Sequence, residues 1–369
     1  MTGRPTPMTG TVELPVSRFP MPVCTAVCIL LLACLGSQRA FAQEAADAPR
    51  PSASPVRSED LPRASIPGDY LSWDIPSESR DAITRGLKAG DYETVEEALV
   101  RLIGQDPKSQ RLLTFLARVF FIDRKPLNCA VALKKAERLE PLKESDRFTL
   151  ALCYVILKWY DWASEEFSKL EKSNPGNVLY PYWQGRIAYD KYAYAEAIEK
   201  FKKSLELDPG FTRAYDNLGL CYQAMSDDES AMKYFEHAVA LNRSRLPSSP
   251  WPPLNYGMLL LKQGLTDEAE PYLVEAVRLG PGMALAHHQL GVALEKQEKY
   301  TDAIDEMKKA VELDPTYPEV HFTLAHVYKQ LGNKDRADLE FNTFQKLKQE
   351  QSNGENPAPS GQASDNPHR

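Results

Sequence analysis

Proline recurs at a fixed interval through the middle of this chain. Six prolines are spaced 34 residues apart within two runs, Pro107, Pro141, Pro175 and Pro209, then Pro281 and Pro315. A proline cannot donate the backbone hydrogen bond that would extend a helix. The interval therefore predicts repeated helical units rather than one large core, which 369 residues would in any case exceed.

The clearest copy of the unit is Thr212–Arg245. Apolar residues recur at helical spacing around Gly219 and Tyr222 in its first half, and around Ala231 and Phe235 in its second half. Each unit is therefore predicted to be a helix, a tight turn and a second helix.

A polar turn separates the two halves of this copy. Ser226 and Glu229 are spaced as a capping box, in which a serine side chain caps the helix that follows. Ser226 is therefore predicted to cap the second helix.

Small and large side chains recur at matching positions of the units. The first helix carries a glycine, at Gly185, Gly219, Gly257 and Gly291. The second carries an alanine, at Ala197, Ala231, Ala269 and Ala303, and then a large apolar side chain such as Phe201 or Phe235. Small residues allow the two helices of a unit to cross closely. Prolines such as Pro209 and Pro315 close the units.

This combination resembles the tetratricopeptide repeat (TPR) over residues 76–351. The resemblance implies an all-α, right-handed superhelical solenoid of about eight helix–turn–helix units. The predicted units are 76–109, 110–143, 144–177, 178–211, 212–245, 250–283, 284–317 and 318–351. The unit 76–109 is degenerate, because Thr94 and Val95 occupy its small position.

Two departures from the regular pattern predict local irregularity. Residues 246–249 are an insertion, which is predicted to perturb the stacking. The last unit has no closing proline, so its second helix is predicted to run to about Gln351. We expect that helix to shield Phe341 and Phe344 at the end of the solenoid.

The first 42 residues have the sequence pattern of an export signal. A 13-residue apolar run, Val23–Leu35, precedes Ala40-Phe41-Ala42, an A-x-A cleavage signal. We expect cleavage before Gln43 and a periplasmic or extracellular protein. Two alternatives stay open: an uncleaved anchor, and a lipoprotein acylated at Cys34, because Leu31–Cys34 resembles a lipobox.

Polar segments flank the predicted solenoid. Residues 43–75 are rich in proline, serine and alanine, and we expect a disordered spacer. Residues 352–369 are predicted to be a disordered tail. The three cysteines beyond the signal, Cys129, Cys153 and Cys221, cannot all pair within one chain and are expected to be buried thiols.

In TPR proteins the first helix of each unit lines a concave groove that holds partner segments. Carried onto this chain, that resemblance predicts a partner-binding groove formed by Arg118, Tyr182, Arg186, Tyr189, Asn217, Trp251, Asn255 and Met258. Asn217 and Asn255 hold equivalent positions in consecutive units, like the asparagine ladder of some peptide-binding relatives. Aromatic side chains supply contact area at low entropic cost.

One known groove pattern of the family is missing. Its carboxylate clamp needs asparagine at the ninth position of a unit. The seven complete units have Arg118, Leu152, Arg186, Leu220, Met258, Val292 and His326 there. His288 and His326 were the best metal-ligand candidates, but two imidazoles without a third ligand are a poor site.

Charge and motif content narrow the function. The net charge of −7 becomes −9 once Arg4, Arg18, Arg39 and Glu13 are removed with the signal, which disfavours nucleic acid as a partner. Motifs for phosphate binding, serine hydrolysis or zinc proteolysis are absent from the sequence. We expect no catalysis, cofactor or metal, and no membrane contact unless Cys34 is lipidated or the signal is kept.

The predicted function is a protein–protein interaction scaffold in the cell envelope or outside the cell, binding an unidentified protein or peptide in the groove. Two alternatives remain: an outer-membrane-anchored TPR lipoprotein that assists envelope or pilus assembly, and a regulatory partner of an envelope enzyme.

Overall fold

The computed structural model describes residue 66 and residues 68–352. The predicted signal, the lipobox at Cys34, most of the predicted spacer and the tail from residue 353 lie outside the described residues. Within them the chain is all-α, and the fold class predicted from the sequence is confirmed.

Sixteen α-helices follow a short 3-10 helix at Gly68–Ser72. The first helices of the eight units are α1 (Ser77–Ala89), α3 (Gln110–Ile122), α5 (Glu144–Ile156), α7 (Leu179–Asp190), α9 (Thr212–Ala224), α11 (Trp251–Lys262), α13 (Ala284–Lys296) and α15 (Pro318–Gln330). The second helices are α2 (Tyr92–Gln105), α4 (Pro126–Glu137), α6 (Tyr160–Ser173), α8 (Tyr194–Leu207), α10 (Asp228–Ser244), α12 (Thr266–Leu279), α14 (Tyr300–Leu313) and α16 (Lys334–Ser352). Apart from the last residue of α16, every helix lies within one of the predicted units.

The turn inside each unit uses one backbone device. Counted from the first residue of its unit, position 15 has a positive φ in all eight units. It is glycine in three, Gly90, Gly264 and Gly332, and another residue type in five, Arg124, Lys158, Tyr192, Ser226 and Glu298. A left-handed residue there reverses the chain between two closely packed helices.

The cap of α10 differs from the prediction. Ser226 is the left-handed turn residue, with a φ of 61°. The side chain of Asp227 caps the helix instead, because its Oδ1 accepts a hydrogen bond of 3.1 Å from the backbone N–H of Ser230.

The small residues sit where the two helices of a unit meet. A Cβ added to Gly219 would lie 2.5 Å from the ring of Phe235, and one added to Gly185 would lie 2.7 Å from the ring of Phe201. Gly257 and Gly291 face Leu273 and Met307 in the same way. The alanines of the second helices, Ala197, Ala231, Ala269 and Ala303, are fully buried. Any larger residue at these points would push the helices apart.

Two other repeated residues lie at the edges of the units. Tyr222 stacks on Tyr234 across its unit, with ring centroids 5.2 Å apart. Pro209 and Pro315 follow the C-terminal caps of α8 and α14, Asp208 and Asp314, and are exposed.

The ordered solenoid begins earlier than the sequence predicted. Tyr70 and Trp73 fall in the predicted spacer, yet both are buried against the first two units. The Trp73 ring packs edge-on against Phe115 at 5.7 Å, and Arg80 Nη2 donates to the Trp73 carbonyl at 2.8 Å. Tyr70 and Trp73 thus pack this segment against the core, together with Ile66 and Ile75.

The four-residue insertion is fastened at one side chain. Asn242, near the end of α10, donates from Nδ2 to the Ser249 carbonyl, and its Oδ1 accepts from the Ser249 N–H, both at 2.8 Å. Beyond the insertion, Leu254 is fully buried in the cluster that also contains Phe235. Packing therefore continues across the predicted point of perturbation.

The end of the solenoid is more open than predicted. Helix α16 does run past Gln351, to Ser352. The expectation that it shields Phe341 is wrong, because 41% of Phe341 is exposed. The reason is positional: this side chain points to where another unit would stack, and α16 is the last helix of the described residues.

Candidate functional site

Five of the eight predicted groove residues are buried, and the structure corrects their assignment. On α7 these are Tyr182, Arg186 and Tyr189, and every residue from Tyr180 to Tyr189 is buried. The Tyr182 ring packs edge-on against Phe211 at 5.2 Å, and the Arg213 guanidinium covers the same tyrosine at 5.5 Å. These side chains join neighbouring units and leave no surface for a partner in this conformation.

The predicted asparagine ladder is also used internally. Asn217 is fully buried and donates from Nδ2 to the Arg213 carbonyl of its own helix at 2.8 Å. Asn255 on α11 donates to Asp216 Oδ1 on α9 at 2.8 Å. Both side chains thus hold groups of this chain rather than the backbone of a bound peptide.

Burial shapes the electrostatics around Arg186 and Asp190 on α7. Arg186 is 1% exposed. Burial raises the pKa of Asp190, and the positive charge of Arg186 nearby partly offsets that rise. Arg186 is therefore a desolvated cation with the carboxyl group of Asp190 close enough to interact with it.

Three predicted groove residues stay accessible in part. Arg118 on α3 is engaged between units, since its Nη2 donates to Asp146 Oδ1 on α5 at 2.9 Å. Trp251 and Met258 lie on α11 and are partly buried against the core. Only Met258 belongs to a larger accessible row of side chains.

The sequence prediction included Met258 but not the other two members of that row. Leu220 on α9, Met258 on α11 and Val292 on α13 hold the ninth position of three consecutive units, and all three are partly exposed apolar side chains. We call these three residues the C-terminal strip. The equivalent Leu152 and Arg186 of earlier units are buried. The signal was in the sequence, as an apolar residue at one position of three successive units.

Lysines border the C-terminal strip. Lys262 and Lys296 occupy the last position of α11 and α13 and are exposed. Lys262 Nζ lies 3.0 Å from Asp228 Oδ1. An apolar row with basic side chains at its edge suits a segment that carries both apolar and acidic residues.

A cavity lies earlier in the chain, between α5 and α7. It measures about 450 Å³ and is lined by Ser145 and Phe148 of α5 and by Leu179 and Tyr180 of α7, among others. Its polar wall is internally bonded, because the Tyr180 hydroxyl donates to Glu144 Oε1. The lining thus combines the apolar Phe148 and Leu179 with the polar side chains of Lys143, Glu144 and Ser145.

The two histidines considered as metal ligands have separate partners within the protein. His288 is buried and bonds Tyr317 and Thr323, whereas His326 pairs with Glu295. Among the residues that the structure describes, no group of three or more metal-ligating side chains is placed to hold an ion. Across residues 68–352, no helix has the length and apolar character needed to cross a membrane.

Family models for the tetratricopeptide repeat match residues 160–210, 212–245, 254–318 and 294–353, which together cover half of the chain. The chain belongs to the tetratricopeptide repeat family. TPR units are scaffolds for protein–protein interaction, and the matching models describe repeats rather than an enzyme family.

Curated relatives match parts of this TPR chain. The TPR repeat-containing protein YpiA of Bacillus subtilis is 27% identical over 186 residues, which is 50% of this chain and 41% of YpiA. The type IV pilus assembly protein PilF of Pseudomonas aeruginosa is 27% identical over 168 residues, 45% of this chain and 65% of PilF. The chain thus spans less than two thirds of either protein.

Among solved structures, yeast Tom70 superposes with a TM-score of 0.55 at 19% identity, covering 78% of this chain and 64% of Tom70. At that identity the likeness concerns the fold alone, and it supports the TPR-type solenoid.

Proposed function

We propose that this TPR protein is a non-catalytic scaffold that holds a segment of a partner protein on the C-terminal strip. The observation that carries the proposal is the row of Leu220, Met258 and Val292, exposed in part at the same position of three successive units. Apolar side chains left open in register are a feature of protein-binding surfaces.

The spacing of the row constrains the segment. Packed helices lie about 8–10 Å apart. One turn of polyproline II advances about 9 Å, and two turns of an α-helix about 11 Å. Either conformation presents an apolar side chain to each unit in turn, and acidic residues between them would meet Lys262 and Lys296.

The binding proposal predicts where a partner cross-links. With a photo-reactive amino acid at Met258, we expect adducts in cells of the natural host. The same probe at Val274, exposed on α12, should give none. Introducing two negative charges into the row by Met258→Glu with Val292→Glu should remove most of the adducts formed by a probe at Leu220, because a carboxylate is costly to bury at an apolar contact.

The control for that experiment is Val274→Glu, which places a carboxylate on a second helix away from the row. Circular dichroism of each variant checks that the solenoid is intact. Equal adducts from probes at Met258 and Val274, or Leu220 adducts that persist in the double glutamate variant, would sink the proposal.

We further propose that the scaffold works after export, in the periplasm or outside the cell. The apolar run Val23–Leu35 and the A-x-A signal before Gln43 support export. The partial likeness to a pilus assembly protein supports the alternative role in pilus assembly. The lipobox-like Leu31–Cys34 makes Cys34 the residue that would carry a lipid anchor in that alternative.

Mass spectrometry of the protein from its host separates these two forms. The export proposal expects an unmodified chain that begins at Gln43. A diacylated chain that begins at Cys34 would replace it with the lipoprotein. A chain that keeps residues 1–42 would contradict both.

A further inference from the structure

The open end of the solenoid is a defined surface rather than a scatter of apolar residues. Position 24 of each unit is fully buried in the first seven units, where it is Leu99, Leu133, Phe167, Phe201, Phe235, Leu273 and Met307. In the last unit it is Phe341, which is 41% exposed. The covering first helix of a following unit is what differs between the two cases.

Neighbouring side chains extend this surface. Phe322 on α15 is 51% exposed. Its ring lies 5.2 Å from that of Phe344, which in turn lies 6.0 Å from that of Phe341. Three phenylalanines therefore form one continuous apolar face, which we call the end face. Faces of this kind on soluble proteins mark interaction sites.

We propose that a second copy of this chain covers the end face, with the two α16 helices antiparallel about a two-fold axis near Thr343. Identical surfaces that meet about such an axis form a closed dimer, the commonest symmetry among soluble oligomers.

The charges on α16 match this arrangement. With the axis at Thr343, Asp338 of one copy lies opposite Lys348 of the other, and Phe341 lies opposite Gln345. The Phe341 side chain also comes within one helical turn of Phe344 of the second copy. Lys348 is half-exposed, and it contacts Glu319 of its own chain at 2.6 Å, so it already lies at this surface.

Other occupants within the chain fit less well. Residues 353–369 follow α16 in the sequence, but they include no large apolar residue to fill the face. The first unit does not offer a matching surface for head-to-tail stacking. Ile83 of α1 is fully buried, and Leu87 is partly buried against the same cluster as Tyr70 and Trp73.

Light scattering coupled to size exclusion tests the dimer. The protein purified as its host produces it is expected at twice the mass of one chain. Phe341→Glu should weaken the dimer by roughly 100-fold, because two apolar contacts are lost per dimer and each is replaced by a carboxylate. Leu339→Glu is the matched control. Leu339 is 64% exposed, and residues two apart lie about 200° apart on a helix, so it faces away.

Charge exchange tests the antiparallel pairing. Asp338→Lys sets like charges opposite each other and should weaken the dimer. Adding Lys348→Asp in the same chain restores opposite charges and should restore the dimer. A wild-type protein of single-chain mass at all concentrations, or a dimer unaffected by Phe341→Glu, overturns the proposal. A double variant no better than Asp338→Lys alone overturns the antiparallel register.

Discussion

Phe235→Ala is expected to lower the free energy of unfolding by about 4 kcal/mol, the range for a phenylalanine removed from a close-packed core. The Phe235 ring is fully buried, and it fills the space that Gly219 leaves open on the facing helix. Neither Gly219 nor the alanine introduced at position 235 has a side chain that reaches into that space. A cavity would therefore remain between α9 and α10.

The last unit supplies the matched comparison. Phe341→Ala removes the same side chain at the same repeat position, but from a ring that is 41% exposed. It should cost about 1 kcal/mol, since less apolar surface returns to water. Urea denaturation of both variants at low protein concentration measures the difference. Similar losses of unfolding free energy in the two variants would mean that burial by the next unit does not determine how much this phenylalanine contributes to stability.

The second large effect is a loss of stability in acid that depends on His288. Burial lowers the pKa of this side chain from 6.5 to about 4. As the pH falls below about 6.5, His288 is protonated in the unfolded chain but stays neutral in the folded chain. The contribution of neutral His288 to the free energy of unfolding is therefore fully present above pH 6.5. It falls by about 3 kcal/mol between pH 6.5 and pH 4 and does not change further below pH 4.

His288→Gln removes the titrating group and keeps a polar side chain that can bond Tyr317 or Thr323. Urea unfolding at pH 7 and pH 4.5 should show a smaller acid loss in this variant than in the wild type. His237→Gln, at an exposed position on α10, is the control for generic histidine effects. An acid loss as large in His288→Gln as in the wild type would contradict the assignment to His288.

Secondary structure and pairing of helices could be predicted from the sequence because they depend on short-range patterns. A 34-residue period, a small residue on each helix and a closing proline are enough to define helix pairs and their contact points. Gly219 against Phe235 is an example: each residue type is explained by the other. The burial of Tyr70 and Trp73 was not predicted, because the polar, proline-rich segment around them has no apolar periodicity.

The binding surface could be predicted only in part. Repeat position tells which side of a helix a residue faces, but not how deeply its neighbours cover it. Arg186 and Asn217 hold repeat positions that predict a groove surface, yet both side chains are buried. Met258 occupies a comparable position and stays partly exposed. The difference depends on the side chains of the flanking helices, which no single unit reveals.

The open last unit also has a mechanical consequence. Within α16 the structure buries only Ala337, and no further unit of the described residues packs against its outer side. If the chain were pulled from its two ends, the last helix pair would detach before the central units, because each unit is held only by its neighbours and the last one has a single neighbour. Each detached unit of 34 residues would release roughly 110–120 Å of extended chain. The chain would then extend in steps of similar length, as units unfold one after another from that end.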